Sequence, residues 1–244
     1  MEPLSPSLLL TVWERGIGQA PAQQALLLLG TLLPEADPDA LAARSIGRRN
    51  ALLLTLRRRL FGERFVSTAA CPACGERIEL TFLTDDIGLP PVIDAPDPAT
   101  VAADGYSATF RLPNSGDLLA LMHEPDAAAA QERLLARCVM AAAHDGQSVS
   151  VSELPPALVA AIAQEMEARD PLATINLALT CPACGHDWAA LLDLGAYLWR
   201  EVDAWAKRTL REVHVLASAY GWSEEAILAM GPGRRQRYLE LIGR

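Results

Sequence analysis

The chain carries the five residues CPACG twice, as Cys71 to Gly75 within "STAACPACGERIEL" and as Cys181 to Gly185 within "LALTCPACGHDWAAL". A Cys-x-x-Cys turn holds two sulfurs near the separation that tetrahedral zinc requires, with about 2.3 Å from the metal to each sulfur. Two such turns make a complete four-sulfur site. A glycine after each pair suits the sharp reversal, because glycine accepts positive φ at little cost. Cys71, Cys74, Cys181 and Cys184 are therefore read as the ligands of one structural Zn2+ ion. Such an ion would join strand pairs from opposite halves of the chain and close a loop of about a hundred residues. On the cross-link entropy model that closure is worth roughly 4–5 kcal/mol.

Other chemistry fits less well. Cys-Pro-x-Cys turns also occur in thioredoxin-like enzymes, where the first cysteine opens a helix inside a βαβ unit and its pKa falls. Here glycine and strand-like residues follow instead. His186, two residues after Cys184, is an alternative ligand, but four thiolates already saturate the ion. His123, His144 and His214 are assigned to helix ends or faces, and Cys138 to a buried helical stripe with Leu134, Leu135 and Ala142. No GxSxG, HExxH or phosphate-binding loop is present, and a saturated zinc offers no open position to a substrate. The sequence therefore points to no catalytic residues, and to a scaffold or assembly protein rather than an enzyme.

The elements around the cysteines predict an α+β fold, mainly helical, with two short strand-turn-strand knuckles forming a zinc-ribbon-like centre. "RFVSTAA" and "RIELTFL" alternate in polarity on either side of the first knuckle, and "ATINLALT" and "HDWAALLDL" flank the second. The two stretches align with Ile78 against Trp188 and Phe82 against Leu192. Helices are expected in a region over 1–64, including one that stops at Gly47 and one with Leu52, Leu53, Leu56 and Leu60 on one face and arginines on the other. The first knuckle with its strand and loop neighbours spans 65–112, in which 85–106 reads as a loop with room for one strand, and "SATFRLP" reads as a strand. Helices return over 113–170, with one starting after Asp126 and running to near Gly146. The second knuckle spans 171–195. A C-terminal helical region, 196–244, opens with a long helix over about Ala196 to Tyr220, whose apolar stripe of Leu198, Val202, Trp205, Val213, Leu216 and Tyr220 is interrupted by Thr209.

Composition sets the class. The chain has 244 residues with 51% hydrophobic and 21% charged, an ordinary globular balance, and a net charge of −9. That charge argues against a protein held to nucleic acid or to an anionic membrane by general attraction. The N-terminus lacks a basic segment before its apolar run and no stretch reads as a membrane span, so a reducing cytoplasm is the expected compartment. There, paired cysteines are more often metal ligands than disulfides.

The stretches "LLTLRRRLFGERF", "FRLPNSGDLLAL" and above all "DLGAYLWREVDAWAKRTLREVHVLASAYGWSEEAILAM" followed by "RRQRYLELI" carry a resemblance. They are similar to baseplate proteins of tailed bacteriophages and phage-derived contractile injection systems, in particular baseplate hub assembly chaperones. The resemblance spans most of 47–244 and implies a role in building a contractile tail through contacts with hub, spike or tail-tube proteins. It implies a place in the cytoplasm or within a phage-tail-like particle, leaves open whether the protein stays there after assembly, and carries no catalytic residue. On that view Trp222, Ile227, Leu228 and Tyr238, beside Arg234 and Arg235, form an amphipathic docking surface; the same residues could instead complete the protein's own core. A zinc-ribbon nucleic-acid-binding or transcription accessory protein is the alternative, but the residues around the knuckles are of mixed charge.

Overall fold

The computed structural model describes residues 4–87 and 98–242, and the chain forms two compact units, Met1–Pro34 with Gly195–Arg244, and Glu35–Leu194. The first unit opens with α1 (Pro6–Gly16) and α2 (Pro21–Leu32). Each starts on a proline, whose missing N–H costs nothing in a first turn. Ser5 caps α1, its Oγ accepting from Leu8 N at 3.2 Å.

In chain order the second unit contains α3 (Pro38–Ala42), α4 (Ile46–Phe61), β1 (Arg64–Ala70), β2 (Arg77–Leu83), β3 (Ala99–Ala103), β4 (Tyr106–Phe110), α5 (Ser115–Ala120), α6 (Ala127–Cys138), β5 (Val139–His144), β6 (Gln147–Ser148), α7 (Pro156–Arg169), β7 (Asn176–Thr180) and β8 (Asp187–Leu191). Among the described residues the strands form three antiparallel sheets: the hairpins β1–β2 and β7–β8, and a four-stranded sheet in the order β3-β4-β5-β6. One face of that sheet supplies Ala99, Ala108, Phe110, Val139 and Ala142 to a core completed by Leu154 and by Leu158 and Ile162 of α7. The α+β class is thus as expected. The first unit closes with α8 (Leu194–Tyr220), α9 (Glu224–Leu228) and α10 (Pro232–Ile242).

The structure corrects several expectations. The helix after Asp126 ends at Cys138, and Val139 to His144 form β5 instead. Alanine-rich sequence fits a helix locally, but here the segment pairs with β4 and buries Val139 and Ala142 on the sheet's inner face. Cys138 is buried as expected, without Ala142 on a shared helix face. His144 ends a strand and stacks on Tyr106 with ring centroids 3.9 Å apart. Gly47 stops no helix. It lies in the first turn of α4, after the cap Ser45, where a Cβ would collide with the Asp170 carboxylate. Nor do the arginines of α4 all face solvent: Arg49 and Arg57 are buried with Leu53, Leu54 and Leu56, while Leu52 and Leu60 are half-buried. Residues 88–97, the middle of the expected loop, lie outside the described residues; β3 supplies the strand beyond them.

In the first unit, Leu10, Ala206, Val213, Leu216, Ile227 and Leu228 make the core, with Trp13, Trp205, Trp222, Tyr238 and Leu239 packed against it. Most of the expected α8 stripe faces inward, Thr209 is buried on the same side, and Tyr220 remains exposed. Trp13 Nε1 donates to Asp203 Oδ1 at 3.0 Å, tying α1 to α8. A Cβ on Gly16 would land on the Trp199 ring. Gly16→Ala is therefore expected to overpack this contact and cost about 1–3 kcal/mol in chemical denaturation; an unchanged midpoint would show that Trp199 moves aside freely.

Asp117 anchors α5 in the second unit. Its side chain is fully buried and accepts from Arg111 at 2.6 and 2.8 Å, from Arg137 Nε at 2.8 Å and from Asn114 N at 3.0 Å. Burial alone would raise its pKa, but these donors outweigh burial and hold the carboxyl below its ordinary value. A depressed folded pKa means stability that is complete above the ordinary carboxylate range and lost as pH falls through the folded value. Asp117→Asn should cost about 2–3 kcal/mol at neutral pH, and the gap between the two proteins should close as denaturation is repeated below about pH 4.

Candidate metal centre

The two knuckles repeat each other in backbone detail. In each, the first cysteine's N–H donates to the carbonyl five residues on, Cys71 to Glu76 at 2.8 Å and Cys181 to His186 at 2.9 Å. Gly75 N returns to Cys71 O at 2.9 Å, and Gly185 N to Cys181 O at 2.9 Å. Both glycines sit at positive φ, 78° and 72°, where a side chain would be strained. The flanking registers match as well: Ser67 pairs with Leu80 as Leu177 pairs with Ala190, and Ala70 with Arg77 as Thr180 with Asp187. The alternation that marks the strands follows from this, since Ile78 and Trp188 occupy the same half-buried face.

Two anchors bring the hairpins into place. Arg57, near the end of α4, is buried over the Phe65 ring at 3.7 Å and donates to Gly62 O at 2.8 Å and Arg64 O at 2.6 Å, fixing the entry to β1. Phe65 in turn stacks on Phe82 across the hairpin at 4.8 Å. Asp170, just after α7 and ahead of β7, reaches the start of α4, where its carboxylate accepts from Ser45 Oγ at 3.0 Å and Gly47 N at 2.8 Å. A carboxylate there satisfies an open N–H and meets the positive end of the helix. Asn50 Nδ2 adds a bond to Leu172 O at 2.8 Å. The helix leading to the first knuckle is thereby tied to the loop leading to the second.

These anchors bring together all four cysteines that the sequence singles out. The Sγ atoms of Cys71, Cys74, Cys181 and Cys184 lie within 4.8 Å of one another. Cys71 to Cys184 and Cys74 to Cys181 are both 3.7 Å. A tetrahedron with metal–sulfur bonds of about 2.3 Å has edges of about 3.8 Å, so the donor set fits a metal ion of that kind. Exchanging the knuckles turns one 3.7 Å contact into the other, which gives the site a local two-fold relation. Cys71 and Cys181 are buried, and Cys74 and Cys184 exposed. His186 lies on the rim with its ring 6.2 Å from Trp188, and is not in the four-sulfur group.

The electrostatics suit a cation. Burial raises the Cys71 thiol, but the backbone amides of Cys74 and Ala73, with the Cys184 and Cys74 thiols, outweigh it and bring the pKa from 9.0 to about 7. At Cys74 the Glu76 amide pulls down, yet the Cys184 thiol, burial and the other two sulfurs push the pKa up to about 12. Cys184 is raised as well: the His186 amide and the Cys74 thiol lower it, and burial with Cys181 and Cys71 prevails. One ionised sulfur opposes ionisation of its neighbours. Four thiolates at this spacing need a shared positive charge.

The docking candidates fare differently. Ile227 and Leu228 lie in the core, and Arg235 is buried, donating to Glu212 Oε2 at 2.9 Å and Met230 O at 2.7 Å. Those three therefore hold the unit together and are not a free surface. Trp222 and Tyr238 are half-buried and meet edge to face at 4.8 Å, and Arg234 is exposed. No helix among the described residues is long and apolar enough to cross a membrane.

No curated protein and no solved structure matches the chain. A protein-family model for the T4 bacteriophage base plate protein matches residues 27–198, a span that takes in both knuckles and both anchors. The chain belongs to the T4 bacteriophage base plate protein family.

Proposed function

We propose that the protein is a non-enzymatic structural or assembly component of a phage-like contractile tail baseplate, with one zinc ion bound by Cys71, Cys74, Cys181 and Cys184. The family match over 27–198 carries the baseplate reading, and the four-sulfur cluster supports the metal. When bound, the ion supplies no reaction chemistry; it fixes two hairpins that are too small to stand alone, since an isolated two-stranded hairpin is marginal in water. Its partners are hub, spike or tail-tube proteins, as in an assembly chaperone, and the protein acts in the cytoplasm or within the particle. Tyr238, Trp222 and Arg234 remain the outward part of the docking surface, of the residue types that dominate interface energies.

Affinity purification of tagged protein from cells making the particle tests this reading. Hub, spike or tube proteins should be recovered with it. Recovery of nucleic acid with salt-sensitive affinity, and no tail protein, would overturn it in favour of a zinc-ribbon nucleic-acid binder. The acidic excess of Glu35–Leu194, the unit that holds the cysteines, already argues against that alternative.

A further inference from the structure

The geometry points to a second use of the same four sulfurs: once metal is withdrawn under oxidising conditions they close two crosswise disulfides, Cys71–Cys184 and Cys74–Cys181. Both pairs are already in van der Waals contact at 3.7 Å, and both run from one knuckle to the other. A disulfide needs about 2.05 Å between sulfurs, so crosswise closure asks the hairpins to approach slightly and leaves each turn as it is. Closure within a knuckle must instead tighten a turn already set by two backbone hydrogen bonds, Gly75 N to Cys71 O and Cys71 N to Glu76 O in the first, with their counterparts in the second.

Exposure sets the order of events. Cys74 and Cys184 are exposed residues, whereas Cys71 and Cys181 are buried. With a peroxide as oxidant, the Cys184 thiolate attacks the O–O bond, an S–O bond forms and hydroxide leaves. The Cys71 thiolate then attacks that sulfur; an S–S bond forms, the S–O bond breaks and a second hydroxide leaves, two electrons having passed to the peroxide. Cys74 and Cys181 react the same way with a second peroxide. The hairpins remain clipped at one point in either state. This matters on the baseplate reading, on which the inference rests for its purpose, because a released particle leaves the reducing compartment where zinc thiolates persist.

The test uses the wild-type chain. Its zinc content is measured, zinc is stripped with a chelator in the presence of hydrogen peroxide, remaining thiols are alkylated, and the protein is cut with trypsin. Free thiols should fall from five to one, Cys138 alone surviving. Peptide 65–77, which holds Cys71 and Cys74, should emerge linked to peptide 170–200, which holds Cys181 and Cys184, and fragmentation should assign Cys71 to Cys184 and Cys74 to Cys181. Two separate peptides with internal loops, a Cys71–Cys181 pairing, disulfide-linked dimers or unchanged thiols would each overturn the inference. The initial zinc measurement keeps the two readings apart. Zinc present with internal loops defeats only the disulfides, and linked peptides from protein that never held zinc defeat only the metal.

Discussion

Cys71→Ser should abolish zinc binding and unfold Glu35–Leu194 under conditions where Cys138→Ser remains folded. Structural zinc contributes about 10–16 kcal/mol in small peptides, against a total of about 5–15 kcal/mol for an ordinary domain. Loss of one of four ligands leaves three sulfurs and a buried hydroxyl in a site shaped for a tetrahedral ion. Cys138 is equally buried but belongs to no such group, so its replacement by serine should cost only the burial of a hydroxyl, about 1–3 kcal/mol. Metal analysis paired with chemical denaturation checks both. If Cys71→Ser kept its unfolding midpoint, the ion would not be the clip described here.

Asp170→Ala is expected to cost about 3–5 kcal/mol, the scale for removing one partner from a buried charged network. Asp170 is 6% exposed, and its carboxylate accepts from the Ser45 hydroxyl and the Gly47 N–H at the start of α4. Without it those two donors lose their partner, and the buried Arg49 guanidinium, which donates to Asn50 Oδ1, loses one of two nearby carboxylates, Asp193 remaining. Because Asp170 lies between α7 and β7 while α4 leads to β1, the loss should also loosen the approach of the two hairpins. Zinc affinity should fall along with stability, as positioning residues around metal sites commonly change affinity about 10–100-fold. Competition with a chromophoric chelator measures the first and denaturation the second. A destabilised variant with unchanged zinc affinity would show that Asp170 supports the fold without positioning the site.

The four-cysteine cluster was legible because its chemistry is written in local spacing. Each CPACG fixes a turn, and the glycine reports the φ that the turn needs. The hairpins were legible for the same reason, as alternation over five to seven residues is a local property. What could not be read depends on partners far away in the chain. Asp170 and Gly47 meet across 123 residues, and nothing near Gly47 distinguishes a glycine required by a carboxylate from one that ends a helix. Val139 to His144 reads as a continued helix because alanine favours one, and only pairing with β4 makes it a strand. A local signal did exist there. Asp104-Gly105 and Asp145-Gly146 both sit at positive φ, the hairpin turn that Asp-Gly favours, and they mark the ends of β3 and β5. The arginines of α4 followed the opposite course: Arg57 looks like part of a solvated face in "RRR", yet its guanidinium is enclosed by Phe65 and two carbonyls.

Metal analysis joined to zinc-edge X-ray absorption, on protein purified without added metal, should find one zinc per chain with four sulfurs at about 2.3 Å. No zinc, or zinc surrounded by nitrogen and oxygen in place of any of the four sulfurs, would contradict a shared four-sulfur site.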